Sequence, residues 1–189
     1  MKEEEILAYL SDSGALLNGH FLLSSGLHSP DYVQCAQALK NPLWAGELGA
    51  ALAALWRGAE PELVVAPAMG GLMIGHEVAR ALGVNFIFTE RENNLMALRR
   101  GFSLARGARV IIAEDVFTTG KSTLETAALV RACGAEVIGA LSMINRMGDR
   151  ELPFPHESLV KMALTTYLAE DCPLCRSGLP VVKPGSRKI

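Results

Sequence analysis

The sequence predicts an α/β domain built on a parallel sheet flanked by helices. Short apolar runs at Leu63–Ala66, Asn85–Phe88, Arg109–Ala113 and Glu136–Ile144 alternate with helical patterns over 72–82 and 122–133. Apolar strands joined by helices indicate a sheet covered on both faces. The glycine-bearing loops all follow strands, and in such sheets ligands collect at the strands' carboxyl ends. Half of the 189 residues are hydrophobic and 20% are charged, which suits one well-cored domain of this length.

The elements follow in order. Ile6, Leu7 and Leu10 share a helical face over 3–10, and Glu3, Glu4 and Glu5 sit where the positive end of its dipole favours acids. Two β-like runs, His20–Leu23 and Tyr32–Gln34, are separated by Ser24-Ser25-Gly26 and Ser29-Pro30. Asn41-Pro42 opens a helix, with a capping side chain followed by proline at the first helical position. That helix spaces Trp44, Leu48, Leu52 and Leu55 as a stripe for core or subunit contact. After the strand at 63–66, Pro67–Gly71 forms a tight loop, and Ile74, Val78 and Leu82 face inward on the next helix. The strand at 85–88 leads into a polar loop, Thr89–Gly101. Gly134 ends the helix begun at Ser122. The tail from Cys172, with Pro173, Pro180 and Pro184, reads as an irregular extension. Neither a second domain nor a low-complexity linker is visible.

A formal net charge of −2 argues against a broad nucleic-acid surface, so phosphate binding must come from a local cluster of cations and amides. No apolar run approaches the roughly 18 residues that span a bilayer. The acidic start, Met1 to Glu5, is unlike a secretion signal, and the expectation is a cytoplasmic protein without a membrane partner. Cysteines stand at 35, 133, 172 and 175. Cys172-Pro173-Leu174-Cys175 has the spacing of half a zinc site, with no second such pair or paired histidines beside it in sequence. Inert thiols, a metal site (shared across a dimer in one version) and a disulfide all remain open.

The chemistry concentrates in residues 110–122. Val110–Ala113 ends in Glu114 and Asp115; a hydroxyl-rich turn follows, and a helix opens near Ser122. Bare amides at a helix start bind a phosphate dianion. Two carboxylates beside it can accept hydrogen bonds from sugar hydroxyls or organise a divalent cation through water. Gly120-Lys121-Ser122 looks like the end of a Walker A loop, but the glycine required five residues earlier is Asp115, which excludes that reading. In Pro67-Ala68-Met69-Gly70-Gly71, two glycines let the backbone approach a bulky anion. Arg91, Arg99 and Arg100 in the polar loop suit bidentate phosphate contact.

Four apolar residues, two acids, two variable positions and Thr-Thr-Gly resemble the 5-phosphoribosyl 1-diphosphate (PRPP) signature of the type I phosphoribosyltransferases. Residues 15–150 resemble the orotate phosphoribosyltransferases within that family. Phe21–Pro30 is similar to their amino-terminal hood, Leu98–Phe102 to a flexible-loop exit in one branch, and Ile144-Asn145-Arg146 to the strand end that faces orotate. The tail from Cys172 to Arg187 is similar to an extension in that branch.

The resemblance implies residues 1–40 as hood and N-terminal helix, 41–165 as α/β core and 166–189 as C-terminal extension. It also implies that Glu114, Asp115, Val116, Phe117, Thr118, Thr119, Gly120, Lys121 and Ser122 bind PRPP. Glu114, Asp115 and Arg91 would act in catalysis, and Thr118 and Arg146 would meet orotate. Mg2+ would be held mainly by PRPP and water. A homodimer would carry the 89–102 loop into the neighbouring site. Ser24 and Gly70 stand where many members carry lysine, and the loop lacks lysine and histidine. Arg91, Arg99 and Arg100 are therefore expected to neutralise the diphosphate. A purine or uracil transferase is the nearest rival, opposed by the hood and Arg146. A PRPP-sensing, nucleic-acid-binding regulator would need a basic face that this chain lacks.

Overall fold

The computed structural model describes residues 1–23 and 25–184. The expectation at Ser24 and the last five residues of the tail, 185–189, lie outside the described residues. The elements run α1 (Glu3–Asp12), β1 (Leu16–Leu22), β2 (His28–Val33), α2 (Cys35–Leu39), α3 (Pro42–Ala54), β3 (Leu63–Pro67), α4 (Gly71–Leu82), β4 (Asn85–Glu92), β5 (Leu95–Leu98), β6 (Arg109–Phe117), α5 (Lys121–Ala132), β7 (Glu136–Asn145), β8 (His156–Lys161) and α6 (Pro173–Arg176).

Six strands form one sheet in the order β5-β4-β3-β6-β7-β8, parallel except for the antiparallel β4–β5 edge. The period-2 alternation of β6 divides its side chains between two cores. Ile111 and Ala113 join Val64, Leu141 and Met143 against α1, α3 and α4. Val110 and Ile112 join Val65 and Ala140 against Ala127 and Val130 of α5. Helices thus cover both faces, as the apolar strands require. β1 and β2 form a separate antiparallel hairpin.

The Asn41 cap forms as expected, its Oδ1 accepting from the amides of Leu43 at 3.0 Å and Trp44 at 3.5 Å. The α3 stripe buries Leu48 and Leu52 completely, while Trp44 stacks on Tyr9 at 3.9 Å and Leu55 turns out to solvent.

Three expectations need correction, and one strand, β8, was not foreseen. The polar loop at 89–101 is largely a hairpin: β4 continues to Glu92 and β5 returns, pairing Thr89 with Leu98 and Glu92 with Leu95. Asn93 and Asn94 both take positive φ, 49° and 65°, the conformation that a tight two-residue hairpin turn demands and asparagine tolerates. β6 does not stop at Ala113 but carries the acid pair inside the strand to Phe117, because β7 pairs with it as far as Asn145. β8, a mixed-polarity edge strand, had no clear sequence pattern. The tail is not wholly irregular: it forms α6 and pairs with the β1–β2 hairpin through Phe21–Val182 and His28–Tyr167.

Helix α3 lies against α4 at Gly49, where an added Cβ would sit 2.5 Å from Glu77 Cβ and 2.8 Å from its carbonyl carbon. Glycine in a helix interior normally gives up about 1 kcal/mol to alanine, but overpacking against backbone costs about 1–3 kcal/mol. Gly49→Ala is therefore expected to lower the urea midpoint without changing the slope of the transition. A midpoint at or above that of the parent would show that the two helices separate easily.

Candidate active site

Glu114 and Asp115 lie on the part of β6 that reaches the carboxyl edge of the sheet. Glu114 is buried and Asp115 half-buried. Burial raises the Asp115 pKa above the ordinary carboxylate value, while a hydrogen bond with Glu114 and the backbone amide of Val116, donated to Oδ1 at 2.8 Å, pull it back. Thr118 and Thr119 follow, exposed. Gly120 then takes φ 71°, a left-handed turn that starts α5 with no side-chain cap of its own; among the first-turn amides only Lys121 meets a side chain, donating to Thr119 Oγ1 at 3.3 Å. The positive end of α5 is thus open beside the two acids, an arrangement suited to a phosphate dianion.

The loop between β3 and α4 presses on the same strand. Ala68 donates its amide to Thr89 O at 2.8 Å, and the Ala68–Met69 peptide is cis. A Cβ at Gly70 would stand 2.7 Å from Asp115 Oδ1, and one at Gly71 would stand 2.7 Å from Ala113 O. The two glycines are therefore needed for the approach of α4 to β6. In this arrangement a lysine at position 70 would collide with Asp115, a physical reason for the departure noted there.

Arg146 follows β7 directly and donates its amide to Phe117 O at 2.8 Å, which fixes it beside the signature turn. The side chain is half-buried, its Nε is buried without a hydrogen-bond partner, and no carboxylate pairs with it among the described residues. Desolvation presses its pKa down, and the charges of Tyr32 and Cys35 oppose that shift. An unpaired guanidinium taken partly out of water is a receptor for an anion or carbonyl.

Tyr32 and Cys35 were not singled out from sequence. Burial raises the Tyr32 pKa and the Arg146 charge lowers it, so β2 brings this hydroxyl close to Arg146. Cys35 is buried with Sγ 4.0 Å from Asp115 O, and desolvation holds its thiol well above the usual value. Neither residue belongs to a short motif; only the packing of β2 and α2 against the site reveals them.

The three loop arginines divide. Arg91 reaches α5, pairing with Glu125 one turn beyond Lys121 and donating to Asn94 O at 2.9 Å. Arg99 pairs with Glu92 at 3.6 Å. Arg100 grips Glu90 through two contacts of 2.9 Å and lies over the Phe88 ring. The structure brings Arg91 next to the phosphate turn and leaves Arg99 and Arg100 on exposed ion pairs within the hairpin. Such pairs contribute only about 0–1 kcal/mol, so a polyphosphate could displace these acids. A concavity between α1 and α3, lined by Tyr9, Asp12 and Trp44, lies away from this chemistry.

Residues 37–163 match the family described as phosphoribosyl transferase domain. Over the full length of both chains, the sequence is 45% identical to an orotate phosphoribosyltransferase of Caldanaerobacter subterraneus and 47% identical to one of Pelotomaculum thermopropionicum. The fold resembles the crystal structure of orotate phosphoribosyltransferase from Aeropyrum pernix, with TM-score 0.69 and 25% identity over 83% of this chain and 93% of that one.

The raised pKa of Asp115 has a consequence for stability. Its stabilising contribution is fully present below the unfolded value of about 3.9 and is lost as pH rises through the raised folded value. At neutral pH the buried charge therefore destabilises the fold. Asp115→Asn should unfold at a higher temperature than the parent at neutral pH, with the gap closing as pH falls towards 4 (about the unfolded pKa). A lower midpoint for the variant at neutral pH would mean that the charge is stabilised by its surroundings.

Proposed function

Since the chain belongs to the orotate phosphoribosyltransferases and transfers ribose 5-phosphate from PRPP to orotate in pyrimidine synthesis, giving orotidine 5'-phosphate and diphosphate, we propose the following roles for its residues. The observation that carries the assignment is the half-buried Arg146, its Nε unpartnered and its amide held by Phe117 O at the end of the strand that carries Glu114 and Asp115 and leads into the start of α5.

The amides and hydroxyls of 118–122 hold the 5-phosphate of PRPP. Glu114 and Asp115 accept hydrogen bonds from the ribose hydroxyls. Their charge also favours the positive character that develops on the sugar as the anomeric C–O bond breaks. Arg146 pairs with the orotate carboxylate or a ring carbonyl, with Thr118 as a second contact. The deprotonated ring nitrogen of orotate then forms the new bond to the anomeric carbon, and the diphosphate leaves with the electron pair of the broken bond. Arg91, Arg99 and Arg100 exchange their carboxylate partners for the leaving group and exclude water.

The acid pair offers hard oxygen donors beside the phosphate turn, which fits water-mediated contact with a Mg2+ ion held chiefly by PRPP. When bound, that ion neutralises diphosphate charge. Arg99 and Arg100 are exposed and paired with Glu92 and Glu90 of the hairpin rather than with Glu114 or Asp115, which supports a homodimer in which the hairpin serves the neighbouring site. No helix among the described residues is long and apolar enough to cross a membrane; the working location is the cytoplasm.

Arg146→Ala should raise KM for orotate tenfold or more, about 1.4 kcal/mol or above, while KM for PRPP changes little; equal effects on both would remove Arg146 from base recognition. If the hairpin crosses the dimer, Arg100→Ala and Asp115→Asn chains, each weakly active alone, should recover turnover when mixed. Strictly additive activities would place each hairpin over its own site.

A further inference from the structure

Four side chains that the transferase chemistry does not use converge at the far end of the β1–β2 hairpin. His20, His28, Cys172 and Cys175 each direct one donor atom to a common point, all four within 4.8 Å of one another. The sulfur–nitrogen separations are 3.5 Å for Cys172–His20, 3.7 Å for Cys175–His20 and 3.3 Å for Cys175–His28. Tetrahedral zinc with Zn–S of about 2.3 Å and Zn–N of about 2.05 Å requires an edge of about 3.6 Å between such atoms. The two imidazole nitrogens, 2.8 Å apart, need to open only slightly.

The surroundings agree with that geometry. His20 Nδ1 lies 2.7 Å from Leu179 O, and a carbonyl can only accept, so Nδ1 carries the proton. Its Nε2 lone pair then points at the two sulfurs and the second histidine. A backbone carbonyl behind a ligating imidazole is the usual orienting contact at zinc sites. His20 falls where the β1–β2 register shifts between Asn18 and Phe21, a bulge that re-aims a side chain. His20, His28 and Cys172 are buried, while Cys175 is exposed and offers access from solvent. Both cysteines are free thiols, and Cys172 to Cys175 spans the start of α6.

We propose that these four residues bind one Zn2+ as a closed structural site fastening the C-terminal extension to the hood. Two thiols and two imidazoles are the donor set that zinc favours over magnesium or calcium. The thiols lose their protons on binding, so two thiolates balance the charge of the ion. Four protein ligands leave no position for substrate. The fastening is useful because the hairpin has two strands, too few for independent stability. Its other connections to the extension are a few strand-like contacts: Leu22 N to Val182 O at 2.9 Å, Val182 N to His20 O at 2.8 Å, and His28 with Tyr167 in both directions. The same hairpin carries Tyr32 to Arg146, so the ion would steady one wall of the base site without touching the substrate.

The test is elemental analysis of the untagged full chain, purified without added metal. About one zinc per chain is expected in the parent and in Cys133→Ser, whose cysteine lies at the end of α5. Cys175→Ser and His28→Ala should lose the ion and melt at a lower temperature. Because such variants could misfold, the parent should also be stripped with a chelator and titrated with Co2+. A single equivalent producing thiolate-to-cobalt charge-transfer absorption supports the site. Absence of metal after purification together with no uptake of zinc or cobalt would overturn it. So would a Cys172–Cys175 disulfide in the purified chain, or zinc retained at full occupancy in Cys175→Ser.

Discussion

The carboxylates of Glu114 and Asp115 are carried inside a central strand, and much of the site is arranged around that constraint. β6 runs between β3 and β7, so its register is fixed on both sides. The acids at its carboxyl end are thereby fixed too. Glycines at 70 and 71 are needed because α4 approaches that strand so closely that a methyl group would strike Asp115 or Ala113 O. Arg146 is positioned through its amide contact with Phe117, the last residue of the same strand. Raising the pKa of Asp115 by burial is a stability cost, the trade-off expected if this carboxylate has the proposed catalytic role.

In the proposed assignment, affinity for polyphosphate and recognition of the base come from different parts of the fold. The start of α5 and the loop after β3 are rigid products of helix and sheet geometry. The hairpin arginines instead sit on exposed ion pairs with Glu90 and Glu92, weak enough to be exchanged. The proposed base recognition would rest on β2, outside the main sheet, and on Arg146 at the carboxyl end of β7. That separation makes the anchoring of the hood a question for function as well as stability, because the hood carries Tyr32.

Local patterns were readable where neighbouring residues determine structure. The Asn41-Pro42 start of α3, the strand–acid–turn–helix unit at 109–132, and Gly134 after α5 all follow from capping, periodicity and positive-φ preferences. The continuation of β4 to Glu92 was hidden because Arg91 and Glu92 look like loop charges; the two asparagines that follow were the available signal. β8 was hidden by the mixed polarity of an edge strand. Half of the Cys172–Cys175 cluster was visible as a motif. Its partners were not, because His20 stands 152 residues before Cys172 and neither histidine spacing nor periodicity announces the contact. Tyr32 and Cys35 were obscured for the same reason: tertiary packing, not sequence proximity, places them beside Arg146 and Asp115.

The central claim is that the half-buried Arg146 guanidinium, held at the end of the strand that carries Glu114 and Asp115, selects an anionic pyrimidine for ribosyl transfer. Its most direct test is turnover with PRPP and Mg2+, following the absorbance of orotate and, in parallel, product formation from uracil and hypoxanthine. The account predicts turnover with orotate and none above background with the two neutral bases. Comparable rates with uracil or hypoxanthine would contradict it and would detach Arg146 from specificity.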